Sequence, residues 1–207
     1  MKSSSIRVKL IAAAVAAAAL LAAWLWDGSP PESAAPVSAQ TLQDQYLTSP
    51  APPDRPKPIE PDPGAAPGEE RSCTLSVRCD ALLANLDRLD AEKRRLAPAD
   101  GVIFPATEVT FYEGESVFDL LRREMRSAGI HMEFTSVPLY NSAYIEGINN
   151  FYEFDAGELS GWMYRVNGWF PNYGSSRYRL QSGDEVEWVY TCDLGDDVGG
   201  GWAAGRT

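Results

Sequence analysis

Aromatic side chains are concentrated in the sequence GWMYRVNGWFPNYG, residues 161–174. Alternation along this stretch places Trp162 and Tyr164 on one face of a strand, and we expect that face to pack in the core. Asn167-Gly168 then favours a type I′ hairpin turn. The loop after the turn carries three more aromatic residues: Trp169, Phe170 and Tyr173. Because loops carry binding more often than strands do, these three are predicted to be exposed and to contact a ligand.

A second loop, residues 137–144 (VPLYNSAY), is richer in apolar and aromatic residues than a turn requires. It could fold back over the core as a lid. Alternatively, it could face the Trp169 loop and form a shallow apolar cleft with polar edges at Asn141, Asn149 and Asn150. The cleft hypothesis gives the predicted ligand-binding residues: Tyr140, Asn141, Tyr144, Trp169, Phe170 and Tyr173.

The sequence shows no recognisable catalytic motif. Its one histidine, His131, has no nearby cysteine or serine motif, and no residues are spaced as in a Gly-x-Ser-x-Gly elbow or a zinc site. Asp193, Asp196 and Asp197 could supply oxygen ligands for calcium, but their spacing differs from that of an EF-hand, and a flexible acidic segment is the favoured interpretation. We therefore predict a protein that is not an enzyme, with no metal site and no required cofactor.

The three cysteines, Cys73, Cys79 and Cys192, all lie in the C-terminal two thirds of the chain. An odd number permits at most one bridge within the chain. If the strands 74–78 and 185–191 are parallel neighbours, their ends bring Cys79 and Cys192 together, and a disulfide there would close a loop of over a hundred residues. Pairing of Cys73 with either of the other two cysteines remains open.

The N-terminal region is predicted to be a membrane anchor. Residues 10–26 contain no charged side chain and follow Lys2, Arg7 and Lys9. This pattern predicts a cytoplasmic N-terminus (1–9), a single transmembrane helix (10–26) and a C-terminal domain outside the cell. The competing interpretation is a signal peptide cleaved after Val37-Ser38-Ala39, which would release a secreted protein.

Residues 27–71 contain eleven of the fifteen prolines and no apolar periodicity, which predicts a disordered, semi-rigid stalk. The folded domain is predicted to span residues 72–201, followed by a flexible tail at 202–207. The net charge is −11. Such an acidic surface excludes nucleic acid as a partner, since nucleic acid requires a positive patch.

Periodicity within the domain predicts the strands 74–78, 108–112, 131–136, 144–148, 162–166 and 185–191. The stretch 80–96 (DALLANLDRLDAEKRRL) has leucines at helical spacing. A clearer amphipathic helix begins after Ser116 and ends at Gly129. This order predicts an α+β fold, in which a mostly antiparallel sheet packs on one main helix.

Four segments carry a family resemblance: residues 114–121 (GESVFDLL), 129–130 (GI), 160–168 (SGWMYRVNG) and 183–190 (GDEVEWVY). Together they resemble the DUF4430 family, whose domain is similar to the C-terminal domain of the transcobalamin and intrinsic factor proteins. The resemblance implies a β-grasp-like domain. In the vertebrate carriers that domain closes over cobalamin together with a helical barrel, and no barrel precedes Cys73 here. Two functions follow as expectations: a membrane-tethered binding module for cobalamin or another small ligand, or a cell-surface protein-interaction or adhesion module.

Overall fold

The computed structural model describes residues 51–62, 64 and 68–201. The predicted cytoplasmic N-terminus, the anchor, residues 27–50, 63 and 65–67 of the stalk, and the tail 202–207 therefore lie outside the described residues. Among the helices that are described, none has the length and hydropathy that a membrane span needs.

The described chain forms seven strands and three α-helices. They are β1 (Glu70–Arg78), α1 (Asp80–Leu83), α2 (Ala91–Arg94), β2 (Val102–Tyr112), α3 (Val117–Ala128), β3 (Met132–Val137), β4 (Ser142–Ile148), β5 (Phe151–Tyr152), β6 (Gly161–Val166) and β7 (Glu185–Thr191). One sheet has the order β2-β1-β7-β6, and a second has the order β3-β4-β5. Every pairing is antiparallel except that of β1 with β7. An α+β fold with mostly antiparallel sheets is thus confirmed, as is the parallel pairing of the first and last strands.

Helix α3 is the main helix, and its ends are those that the sequence predicts. The Ser116 hydroxyl accepts a hydrogen bond from the amide of Asp119 at 3.2 Å. Gly129 ends the helix in the left-handed region, with φ of 68°, which glycine adopts at little cost. The helix buries Leu120, Leu121 and Met125. These side chains belong to the same core cluster as residues of the β2-β1-β7-β6 sheet.

The core consists of two adjoining clusters. The larger contains Leu75, Phe111 and Trp188 from the sheet, packed with the apolar face of α3. The smaller one surrounds Cys79 and Tyr190. Of the two residues predicted to pack in the core, Tyr164 is buried in the larger cluster, as predicted, whereas Trp162 also lines a surface pocket. Trp162 is partly buried against both clusters, and its indole donates a 2.8 Å hydrogen bond to the Phe151 carbonyl.

The stretch 80–96 is not the single helix that its leucine spacing predicts. It contains α1, a 3₁₀ turn at Leu86–Arg88, and α2. Asn85 leaves the helical conformation, with φ of −130°, and its side chain donates to the Ala81 carbonyl at 2.8 Å. Asn and Asp compete in this way for backbone groups and so interrupt helices. Apolar spacing alone did not show this interruption.

The predicted Cys79–Cys192 disulfide is not formed in the structure, where all three cysteines are free and buried. Cys79 and Cys192 do lie in the same core cluster, at neighbouring ends of β1 and β7. Chiefly through burial, the pKa of Cys73 and of Cys79 is raised from 9.0 to about 12, and that of Cys192 to about 11. Each thiol is therefore held in its neutral form.

We expect the three thiols to resist alkylation in the folded protein at neutral pH, because the thiolate is the reactive form and it is suppressed at all three sites. Unfolding without a reductant should then expose three alkylatable cysteines. Mass spectrometry after iodoacetamide treatment measures this directly. A single alkylated cysteine in the unfolded chain would restore the disulfide prediction.

The same raised pKa values make stability fall at alkaline pH. Above about pH 9 the unfolded thiols lose protons while the folded ones keep theirs, so deprotonation favours unfolding, by roughly 1.4 kcal/mol per pH unit for each thiol until its folded pKa is passed. For Cys79, the stabilisation that comes from its raised pKa is fully present below pH 9.0 and is lost between pH 9.0 and about pH 12. Urea unfolding from about pH 8 to about pH 11 measures the slope of the free energy of unfolding against pH. Cys79→Ala should reduce it, whereas an unchanged slope in that variant would contradict the assignment.

Residues 51–62, which the sequence places in the disordered stalk, lie along the domain. The amide of Ile59 donates to the Arg177 carbonyl at 2.9 Å, and the Tyr173 hydroxyl donates to the Pro56 carbonyl at 2.7 Å. Polar partners far along the chain hold this segment in place, and its own composition does not reveal them. Strand β1 begins at Glu70, two residues before the predicted domain boundary.

Candidate functional site

The aromatic loop after β6 is not exposed as the sequence predicts. Trp169, Phe170 and Tyr173 retain only 8%, 2% and 7% of their accessible surface. Trp169 and Tyr173 pack edge to face at 6.1 Å within the core cluster. Phe170 packs instead under the Arg165 guanidinium and against Gly200. The exposure prediction for these three is wrong, because near neighbours and distant residues, Arg55, Pro56 and Gly200, together cover the loop.

The predicted cleft between the two loops is filled by direct contact. The Ser142 and Ser176 hydroxyls lie 3.0 Å apart, and the amide of Ala143 donates to the Ser176 hydroxyl at 3.1 Å. Tyr140 and Tyr144 are about half exposed. Of the six predicted ligand-binding residues, only Tyr144 reaches the concave site described next.

An apolar pocket of about 260 Å³ lies at the β6 edge of the larger sheet. Its apolar walls are Tyr144, Phe154, Leu159, Trp162, Met163 and Leu194. Four of these side chains are large, apolar and unusually exposed: Tyr144 (45%), Phe154 (61%), Leu159 (42%) and Leu194 (44%). We call this concavity the apolar pocket. Its walls are rings and aliphatic chains available to a binding partner.

Two walls of the pocket have an unusual backbone. Phe154 has φ of 68° and Leu194 has φ of 48°, values that bulky residues adopt only at a cost. Backbone hydrogen bonds hold both, from Phe154 to the Ser160 carbonyl at 3.0 Å and from Leu194 to the Leu159 carbonyl at 2.8 Å. Strained residues are concentrated at functional sites. These two therefore support a binding role for the pocket.

The loop that carries Phe154 is fixed by a polar cluster behind it. Lys93 lies 2.6 Å from the Asp155 carboxylate, which also accepts a 2.7 Å hydrogen bond from the Tyr152 amide. The Tyr144 hydroxyl donates to Glu153, and burial together with this carboxylate raises the pKa of Tyr144. These contacts fix the loop that carries Phe154, and the Glu158 carboxylate lies beside the apolar walls of the pocket.

The two hydroxyl side chains that line the pocket, Ser160 and Thr191, take part in structural hydrogen bonds. The Ser160 hydroxyl donates to the Gly157 carbonyl at 2.8 Å and accepts from the Ala156 amide at 3.0 Å. The Thr191 hydroxyl donates to Asp197 at 2.5 Å. His131 lies elsewhere, 3.0 Å from both Glu133 and the Tyr152 hydroxyl. The chemistry that this site supports is therefore the binding of an apolar group.

A second concavity of about 460 Å³ lies between β2 and α3. Its floor is the outer edge of β2, and side chains close that edge. Arg123 donates to the Thr110 carbonyl, and Glu115 accepts from the Tyr112 amide at 3.0 Å. Such capping protects an edge strand from pairing with another chain. The apolar pocket is for this reason the stronger candidate site.

The acidic stretch after β7 is ordered instead of flexible. Asp197 accepts a 2.7 Å hydrogen bond from the amide of Cys192, and Asp196–Val198 forms a 3₁₀ turn. Within the part of the chain that the structure describes, no three His, Cys, Asp or Glu residues are grouped as metal ligands. Leu194 projects from this stretch into the apolar pocket. The only sequence signals for the pocket were isolated large apolar residues in polar turns.

The fold is that of a small α+β domain with one main helix and an apolar pocket at a sheet edge. Residues 114–192 match the family described as "Domain of unknown function (DUF4430)", which confirms the resemblance seen in the sequence. No curated protein matches the chain.

Two solved structures are similar at low identity. Haptocorrin in complex with Cbi has 16% identity and a TM-score of 0.43, over 63% of this chain and 27% of haptocorrin. A protein from Ruminococcus gnavus ATCC 29149 with a proposed metal-binding role, solved at 1.30 Å, has 14% identity and a TM-score of 0.34, over 58% of this chain and 96% of that one. The chain thus spans about a quarter of the length of haptocorrin.

Proposed function

We propose that the domain is a noncatalytic binding module, and that the apolar pocket receives an apolar part of its ligand. The observation that carries this proposal is the convergence of Tyr144, Phe154, Leu159 and Leu194, all exposed, around one concavity. Single exposed apolar residues are ordinary, whereas a contiguous group of them is typical of an interaction site.

The size of the pocket limits what it can hold. A volume of about 260 Å³ is just below the range of about 300–1,000 Å³ that is usual for small-molecule sites. It can accept one ring or a short aliphatic chain. A cobalamin-like ligand, which the family resemblance supports, would be held here by one edge only, and the rest of it would need a second surface.

A second candidate function is a protein-interaction module at the cell surface. The small volume and apolar walls of the pocket favour it, because protein partners insert single aromatic or aliphatic side chains into such pockets. In this case the ligand is the anchor residue of another protein.

We further propose that the domain is held at the outer face of a membrane. The apolar segment 10–26 after Lys2, Arg7 and Lys9 supports this location. Protease treatment of intact cells should degrade the domain, while carbonate extraction should leave the chain in the membrane fraction. Release into the medium of a chain that begins after Ala39 would instead establish the cleaved signal peptide.

Tryptophan fluorescence provides a test of binding, because Trp162, one of the six tryptophans of the chain, lines the pocket. The purified chain is titrated with cobalamin and related corrinoids, and the titration is repeated with Leu159→Ala. The matched control is Leu139→Ala, a more exposed leucine outside the pocket. Saturable quenching that Leu159→Ala weakens and Leu139→Ala leaves unchanged would support a small-ligand module. Saturable quenching that is equal in both variants would contradict the pocket assignment, and no quenching by any corrinoid would favour a protein partner.

The strained wall gives a second prediction, in which stability and binding change in opposite directions. Phe154→Gly should raise the free energy of unfolding by about 1 kcal/mol, since glycine adopts positive φ without the cost that phenylalanine carries. The same change should weaken ligand binding, because it removes a wall of the pocket. Urea unfolding and the titration above measure the two effects. Phe154→Ala, which removes the ring but keeps a side chain at φ of 68°, should weaken binding without the gain in stability.

A further inference from the structure

The buried aromatic loop is itself covered by a proline-rich stretch of the same chain. Residues 55–60 (RPKPIE), which we call the proline segment, begin with Arg55, whose guanidinium lies 5.5 Å from the centre of the Trp169 ring. The Tyr173 hydroxyl donates to the Pro56 carbonyl at 2.7 Å. The start of the segment therefore has a cation over an indole and a hydrogen bond from a tyrosine.

The other end of the proline segment is held by a buried arginine. Arg177 has no accessible surface, and its Nη2 lies 2.9 Å from the Glu60 carboxylate. Its Nε donates to the Ile59 carbonyl at 3.2 Å, and the Asn141 side-chain amide donates to the second carboxylate oxygen of Glu60. A carboxylate at this position thus meets a preformed set of donors.

The receiving residues, Asn141, Trp169, Tyr173 and Arg177, all belong to the folded domain; we call them the receiving groove. Three of the four were predicted from the sequence to contact a ligand. The groove combines aromatic rings, a tyrosine donor to a backbone carbonyl and a charged anchor. Proline-rich peptides are recognised in this manner, since their fixed φ angles reduce the entropy lost on binding.

We propose that the receiving groove is a peptide-recognition site for an extended segment with arginine, two prolines and a glutamate in the pattern Arg-Pro-x-Pro-x-Glu, and that residues 55–60 occupy it within the chain. The partner is a proline-rich segment of another protein with this pattern. No receiving residue lines the apolar pocket. The two sites are therefore separate, and this inference stands whether or not the apolar pocket binds a ligand.

The proline segment competes with a partner peptide for the receiving groove. A short connection between the proline segment and β1 gives the segment a high effective concentration at the groove, on the order of millimolar. A partner peptide then binds weakly until the internal segment is displaced. No strand pairing joins the segment to either sheet, so its release leaves both sheets intact.

The test adds a fluorescent peptide of residues 54–62 (DRPKPIEPD) to the full chain and measures its anisotropy. Glu60→Gln in the chain weakens the binding of the proline segment to the receiving groove. The added peptide keeps its own glutamate, so it should bind the Glu60→Gln chain about tenfold more tightly than it binds the unchanged chain. The matched control is Lys57→Ala. The Lys57 side chain is exposed within the same segment, and its loss should leave the affinity unchanged.

Two further measurements make the test decisive. The Tyr173→Phe change, added to Glu60→Gln, removes the hydrogen-bond donor to the Pro56 carbonyl and should lower the affinity for the peptide severalfold. If Glu60→Gln lowers the thermal midpoint of the domain, Arg55→Ala serves as the release variant, because the partly exposed Arg55 side chain contacts the Trp169 ring. The proposal would be overturned if the peptide bound the release variant and the unchanged chain with equal affinity. It would also be overturned if a peptide with glutamine in place of Glu60 bound the release variant as tightly as the original peptide does.

Discussion

Replacing Trp169 with alanine should lower the free energy of unfolding by about 3–5 kcal/mol, the usual cost of removing a large aromatic side chain from a core. Trp169 is 8% exposed and packs against Tyr173 within the main core cluster. Its loss leaves a cavity that the hairpin, fixed by the two hydrogen bonds between Val166 and Trp169, cannot readily close. The Arg55 guanidinium also loses its aromatic partner. Urea unfolding followed by circular dichroism measures the change.

The matched control is Tyr140→Ala. The sequence places Tyr140 and Trp169 in one predicted binding surface, but Tyr140 is 51% exposed at the end of a 3₁₀ turn. Exposed substitutions of this kind usually change stability by less than about 0.5 kcal/mol. If Tyr140→Ala and Trp169→Ala proved equally mild, the burial of the aromatic loop would be contradicted.

Replacing Gly174 with alanine should destabilise the domain by about 1–3 kcal/mol through overpacking. An added Cβ would lie 2.4 Å from the Ser142 Cβ and closer still to its hydroxyl oxygen. Gly174 has φ of −66°, so alanine meets no backbone strain there, and the whole effect is steric. Because a Cβ carbon cannot rotate away, the backbone of one loop has to move.

A double-mutant cycle isolates this contact. Ser142→Gly removes both crowding atoms, leaving the Ser142 Cα at an ordinary 3.8 Å, so the double variant should be more stable than the sum of the single changes predicts. Gly161→Ala is the control, because its new Cβ would meet Glu153 at an ordinary 3.7 Å. Strictly additive effects of Gly174→Ala and Ser142→Gly would show that the two loops do not touch.

Local chemistry predicted much of the fold. The strand Glu185–Thr191 has its predicted bounds, and α3 begins after Ser116 and ends at Gly129, because alternation and capping act within a few residues. The parallel pairing of β1 with β7 was also predicted, as a condition for a disulfide. The bridge itself was not found. Neighbouring strand ends bring two cysteines into one cluster, but they do not make a bond form.

The site was harder to predict, because what covers a residue is a long-range property. Trp169 and Tyr173 are the loop aromatics that a binding surface would have, yet Pro56 and Arg55, more than a hundred residues earlier, contact them. The apolar pocket was missed for the opposite reason. Phe154 and Leu194 stand alone in polar turns, and no periodic pattern marks them. Only their positive φ angles and their convergence distinguish them.

The central position of β1 beside β7 determines when the domain can form during synthesis. Thr74 pairs with Glu185, so β1 is synthesised more than a hundred residues before β7, its parallel neighbour. Until then, β1 and β2 can form only an antiparallel pair of strands, and an isolated pair of this kind is only marginally stable. Contacts between distant parts of a chain also slow folding, because their closure entropy is lost before they are made. A nascent chain that ends before Thr191 thus lacks an inner strand of its larger sheet, and its apolar faces stay open to chaperones.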